Sequence, residues 1–145
     1  MKCLIQRVSR ASVTIEDEIY SEIGKGILAL LGIEKGDTKE QALKLAEKVV
    51  NLRIFEDENG KMNNSLKDIN GEMLIVSQFT LCGDCKKGTR PSFDKAEFPQ
   101  KAKELYEEFV NIVKQAGITA NTGKFGAMMN VELVNNGPVT FLLEK

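Results

Sequence analysis

The sequence predicts a single α+β domain: a curled, largely antiparallel, barrel-like β-sheet backed by two main α-helices. Three observations carry this reading. Two segments, residues 38–51 and the stretch after Pro99, repeat apolar residues at helical spacing. Short apolar or alternating runs, bounded by turn residues, fill most of the remaining chain. A length of 145 residues and 16.1 kDa has room for one core, so residues 1–145 form one domain.

Taken in order, residues 2–8, 12–15 and 18–23 read as strands, with Gly24 and Gly26 bracketing a turn. The run Ile27 to Ile33 is continuously apolar and suits a strand covered on both faces. Thr38 and Gln41 stand at capping-box spacing. Ala42, Leu43, Leu45, Ala46, Val49 and Val50 then form one face of a helix over 38–51. Leu52 to Glu56 returns to strand before an Asn59-Gly60 turn. Glu72 to Leu81 reads as a central strand whose apolar part, Met73 to Val76, runs straight into Ser77-Gln78-Phe79-Thr80. A long loop, 82–98, carries most of the local positive charge. Pro99 opens the second helix, with Ala102, Leu105, Phe109, Ile112, Val113 and Ala116 on one face, and Gly117 ends it. Residues 118–120, 128–134 and 139–143 close the chain as strands, the last two joined by a turn at Asn135-Asn136-Gly137-Pro138.

Composition narrows the chemistry. The chain has no histidine, which removes Ser-His-Asp and Cys-His catalysis and His-ligated metals. Catalysis must rest on hydroxyls, backbone dipoles, carboxylates, lysines, cysteines or the substrate itself, and neither metal nor cofactor is expected. A net charge of −1 makes the chain no generic polycation, so a nucleic acid would need a local basic patch. Three cysteines suggest reduced thiols. MKCLIQRVSR has no apolar signal region, and no run approaches the ~20 residues of a membrane helix. A cytoplasmic protein is expected.

Several motifs reduce to simpler readings. Cys82-Gly-Asp-Cys85 lacks the second pair of a zinc ribbon, and Lys86-Lys87-Gly88 does not open the helix a redox motif needs. Two incidental loop thiols are the simplest account. Gly32 to Thr38 lacks phosphate-loop spacing, and Asp57 to Gly60 has its glycine too early for a calcium loop. Three features remain. Ser77-Gln78-Phe79-Thr80 leaves a wholly apolar strand, with Ser77 and Phe79 expected on one face and Gln78 and Thr80 on the other. Asn135 to Thr140 forms the terminal turn. Lys86, Lys87 and Arg90, with Phe93 nearby, suit a phosphate backbone, with Arg7 and Arg10 as the alternative path. By pattern alone each also has a plain reading: an emerging strand, a hairpin turn, a solvated loop.

Together these segments resemble the D-aminoacyl-tRNA deacylase family in its bacterial and eukaryotic form. The resemblance runs through QRVSRASVTI at 6–15, GIEKGDT at 32–38, NLRIFEDENGKMN at 51–63, VSQFTL at 76–81, KGTRPSF at 87–93, TGKFGAMM at 122–129 and LVNNGPVTF at 133–141. It implies a homodimeric hydrolase that frees tRNA from wrongly attached D-amino acids. Ser77, Gln78, Phe79 and Thr80 would line the pocket for the terminal adenosine and the ester. Gly137-Pro138 would be a cis peptide inserted from the partner subunit. The implied partners are the aminoacylated 3′ end of tRNA and a second copy of the chain, not DNA or a membrane. Cys82 and Asn136 depart from the pattern, which leads one to expect a non-thiol residue and, more often, Asp.

An aminoacyl ester is already activated, so its hydrolysis needs positioning and oxyanion stabilisation more than a strong base. The N–H groups of Phe79 and Thr80 suit the oxyanion. Thr80 as nucleophile is weak without a histidine to take its proton; water activated by the ribose 2′-OH is the competing route. A non-catalytic RNA-binding module and a purely structural dimer are the other classes these residues allow.

Overall fold

The computed structural model describes residues 1–145. Its strands are β1 (Lys2–Ile15), β2 (Glu18–Ile23), β3 (Gly26–Gly32), β4 (Phe55–Glu56), β5 (Met62–Asn64), β6 (Glu72–Ser77), β7 (Thr119–Thr122) and β8 (Asn130–Glu144). Helix α1 (Lys39–Asn51) follows β3, and α2 (Pro99–Gln115) precedes β7. The main sheet runs β2-β1-β3-β6-β7, with β8 along the other edge of β1. β1 is antiparallel to β2, β3 and β8, whereas β3, β6 and β7 run parallel, so the sheet is mixed. Ser21 Oγ donates to the Thr122 carbonyl at 2.8 Å, and Asn121 Nδ2 donates to that of Glu22 at 2.7 Å. These bonds draw β7 towards β2 and curl the sheet nearly into a barrel.

Period-two alternation divides the core. Ile27, Ala29 and Leu31 of β3 and Met73 and Ile75 of β6 pack with the helices. Leu28, Leu74 and Val76 form the opposite core with Val8, Ala11 and Val13. The continuous apolar run of β3 is thus covered on both faces, as its composition predicts. On α1, Thr38 Oγ1 accepts the Gln41 N–H at 3.4 Å and Gln41 Oε1 accepts the Thr38 N–H at 2.8 Å, completing the capping box. The helix buries Ala42, Leu45, Ala46, Val49 and Val50, but Leu43 is exposed. Leu105, Tyr106, Phe109, Val110 and Val113 anchor α2, each Leu- or Phe-sized burial contributing about 1.5–3 kcal/mol. Gly117, at φ +86°, ends it. No helix is long and apolar enough to cross a membrane.

Three local expectations are corrected by tertiary contact. The runs 2–8 and 12–15 are one strand, because β8 pairs along β1 past the polar Ser9 and Arg10. The strand expected over 72–81 stops at Ser77: Gln78 N–H donates to the Leu31 carbonyl at 2.8 Å, and 79–82 wind into a 3₁₀ turn. The alternation expected across 77–80 is therefore lost, and Cys82 is a buried member of that turn rather than a loop thiol. Finally, 135–138 is no hairpin turn. β8 is continuous, with Gln6 opposite Thr140 and Val8 opposite Asn135, so residues 136–139 bulge opposite the single residue Arg7.

Candidate active site

A cleft of about 650 Å³ opens where β6 ends. Ser77, Gln78, Phe79 and Thr80 form one wall, Phe125, Met128, Met129 and Val131 another, and Glu97 and Pro99 stand in the lining. The sharp turn after Ser77 depends on Gly32, where a Cβ would meet the Gln78 carbonyl oxygen at 3.1 Å and Leu81 Cβ at 3.0 Å. Glycine lets the turn close against β3 and aims 77–80 into the cleft.

Within the turn, Leu81 N–H donates to the Gln78 carbonyl at 3.2 Å and Gly83 N–H to that of Thr80 at 3.0 Å. The N–H groups of Phe79 and Thr80 come first in the 3₁₀ turn, where donors have no partner within the helix. Gln78 Nε2 donates to Thr80 Oγ1, which fixes the threonine oxygen and leaves its proton free to donate. Glu97 is the one titratable side chain in the lining. The Phe98 N–H at 2.9 Å and the Lys101 ammonium at 3.0 Å hold its carboxyl below the usual range, making it a poor base near neutrality. Burial raises the Cys82 thiol, whose sulfur lies 3.4 Å from the Ile33 carbonyl oxygen. The cleft thus offers hydroxyl, amide and backbone donors over an apolar floor, suited to orienting a substrate and stabilising negative charge.

The Gly137-Pro138 bond is cis and lies in the β8 bulge, outside the lining of this cleft. Asn135 Nδ2 donates to Thr140 Oγ1 at 2.9 Å, and Asn135 Oδ1 accepts the Val139 N–H at 3.0 Å. Arg7, only 6% exposed, donates through Nε to the Asn136 carbonyl at 3.0 Å and through Nη1 to that of Ile54 at 2.8 Å. Gly137 has φ +131°, and a Cβ there would lie 2.7 Å from Val139 Cγ2 and 3.1 Å from Arg7 Nη2. The chain therefore does not bring residues 77–80 and 137–138 into one cleft; it presents them at two places.

Lys86, Lys87 and Arg90 stand together in the loop beyond Thr80, facing a separate polar cavity. Of the alternative pair, Arg7 is buried, whereas Arg10 is exposed in a surface ion pair with Glu132 at 3.1 Å. Glu97 had no clear sequence signal, and the wall at 125–131 had one only through the resemblance of TGKFGAMM at 122–129. Arg7 had one. It shares the strand parity of Cys3 and Ile5, which places it on the core face.

A family model described as D-Tyr-tRNA(Tyr) deacylase matches residues 4–144. The chain is 57% identical over 143 residues to a D-aminoacyl-tRNA deacylase of Thermodesulfovibrio yellowstonii, covering 99% of this chain and 98% of the relative. It is 58% identical over 144 residues to a D-aminoacyl-tRNA deacylase of Thermosipho africanus, covering 99% and 97%. Among solved structures it superposes on a c-Myc DNA Unwinding Element Binding Protein with a TM-score of 0.94 at 43% identity, covering 100% of this chain and 99% of that one. Agreement of this extent over nearly the whole chain shows that it belongs to the D-aminoacyl-tRNA deacylase family.

Proposed function

We propose that this protein hydrolyses the ester joining a D-amino acid to the 3′ end of tRNA. Water adds to the carbonyl, the ribose oxygen leaves with a proton, and free tRNA and D-amino acid are released. The observation that carries the reading is the turn at 77–80, which presents two N–H donors with no partner in the turn beside a largely apolar cleft. Those donors would take the oxyanion. With no histidine and with Glu97 held ionised, the ribose 2′-OH is the better activator of water, and Thr80 acts through its position and N–H. Lys86, Lys87 and Arg90 would hold phosphates near the acceptor end. We assign the enzyme to the cytoplasm, where aminoacylated tRNA is used.

The working unit would be a homodimer. β8 pairs only with β1, so a fifteen-residue edge lies open, with Val134, Phe141 and Leu142 exposed along it. A partner placed there would receive Gly137 and Pro138 over its own residues 77–80. Rigid backbone standing where an L side chain would point excludes that hand whatever the side chain, and glycyl-tRNA, with nothing to exclude, would pass.

The deciding assay compares D- and L-charged tRNA, with and without chelator. Hydrolysis of the D-form alone, undiminished by chelator, is expected. Equal rates on both hands, or activity restored only by zinc, overturn the reading. Mixed dimers test the in-trans arrangement: Thr80→Tyr combined with Gly137→Val should leave one site with both defects and one with neither, so activity partly returns. If the bulge serves its own chain, mixing restores nothing.

A further inference from the structure

The loop after the turn at 77–82 holds a second cavity, of about 320 Å³, with no apolar side chain in its wall. Lys86, Lys87, Arg90 and Lys95 line it with Asp84 and Asp94. Such a cluster would ordinarily neutralise itself, yet none of the four cations belongs to an ion pair of the fold. The two carboxylates are engaged by the loop instead. Asp84 Oδ1 accepts the Lys86 N–H at 2.9 Å, and Asp94 Oδ2 accepts the Ser92 hydroxyl at 2.8 Å. Reciprocal backbone bonds between Asp84 and Ser92, at 2.7 and 3.0 Å, close the loop, and Gly88 at φ +68° lies within it. The four cations are thus presented on an ordered scaffold, so binding an anion need not first fold the loop.

An aromatic contact joins this cavity to the cleft. Phe93 meets Phe79 edge-to-face, ring centroids 5.1 Å apart. Both rings keep exposed surface, 38% for Phe93 and 56% for Phe79. Free cations beside exposed aromatic faces are what an unpaired strand requires, phosphates on one and bases on the other. A duplex keeps its bases stacked and cannot use the rings.

We infer that residues 84–95, with the Phe79–Phe93 pair, form a platform for the single-stranded 3′ segment of the RNA, binding it independently of the attached amino acid. The inference rests on the proposed deacylase reading and adds to it the path by which the strand leaves the cleft, with Lys95 as a fourth cation. Because the platform ignores the amino acid, uncharged tRNA should occupy it as well as charged tRNA does.

The test uses a short single-stranded RNA ending in CCA, with no amino acid, titrated against the whole protein at several salt concentrations. With all four cations engaged, the log–log salt slope approaches about −2.8, or about 50-fold weaker binding from 50 to 200 mM salt. Lys86→Gln combined with Lys87→Gln should halve the slope, and the fourfold variant adding Arg90→Gln and Lys95→Gln should bring it near zero. Phe93→Ala should weaken binding about tenfold with the slope unchanged. In kinetics, KM for charged tRNA and the inhibition constant of uncharged tRNA should rise together in the cation variants while kcat holds. A wild-type slope in the fourfold variant, or a blunt RNA duplex competing as well as the single strand, overturns the platform. Deacylation by a protein whose oligonucleotide binding ignores salt sinks the platform alone. Salt-dependent binding that follows this pattern without any deacylation sinks the deacylase reading and leaves the platform standing.

Discussion

The turn at 77–82 and the bulge at 136–139 are both departures from regular strand, but they are completed differently. The turn closes against Gly32 and faces a cleft that its own chain furnishes. The bulge is held by Arg7, Asn135, Gln6 and Thr140 through hydrogen bonds of 2.9 to 3.3 Å, yet lies on an open edge outside that cleft. Ordering a residue costs about 1–2 kcal/mol of backbone entropy, so a segment fixed this firmly at an edge makes sense if its rigidity serves another surface. One site is finished by its own chain; the other, in the proposed dimer, would serve a neighbour.

The largest effect should come from the bulge. Gly137→Val places a Cβ in contact with Val139 and Arg7 at a φ that L residues rarely adopt. Displacing rigid backbone by about 1 Å can cost on the order of 100-fold in rate, so D-aminoacyl-tRNA hydrolysis should fall by at least about that factor. Wild-type turnover would break the comparison, because the bulge would then have no part in the site.

Arg7→Met comes next and acts on stability. It removes the donor from the Asn136 and Ile54 carbonyls, at about 1–3 kcal/mol for the buried Ile54 acceptor left unpaired and less for the exposed Asn136. Denaturant titration should show a lowered midpoint, and rates should fall with it. Arg7→Lys should rescue little, since one ammonium lacks the guanidinium's fork for reaching both carbonyls. Full stability in the lysine variant would show that charge, not geometry, holds the bulge.

Thr80→Val sharpens the other half of the comparison. Losing a covalent nucleophile costs on the order of a millionfold in kcat. If Thr80 contributes position and backbone N–H, the valine variant should stay within about tenfold of wild type. Single-turnover kinetics on D-charged tRNA distinguish the two directly.

The smallest effects belong to the thiols. Cys85 is exposed while Cys82 and Cys3 are buried, so alkylation of the native protein should modify Cys85 first and Cys3 only on unfolding. Burial pushes the Cys3 thiol up to about 12, from an ordinary value of 9.0. The folded state therefore keeps a proton that the unfolded chain gives up. Stability from this group is complete below about pH 9 and declines as pH rises towards about 12. Cys3→Ala should flatten that alkaline limb, which denaturant midpoints measured across the window would reveal.

Local rules in the sequence determined a good part of this protein. Thr38 and Gln41 announced the start of α1, Pro99 and Gly117 bounded α2, and the unbroken run from Ile27 announced a strand buried on both faces. The residues of both candidate sites were also legible, through the motif resemblance. Their shapes were not. That the strand from Glu72 ends at Ser77 was decided by Gly32 and the Leu31 carbonyl, more than forty residues away in the chain. That Asn135 to Pro138 bulges from a continuous strand instead of turning back was decided by β1, whose residues pair with β8 on both sides of Arg7. Turn residues specify a bend but not what lies across from it. Hydrogen-bond partners distant in sequence choose between a hairpin and a bulge, and those partners exist only once the sheet has formed.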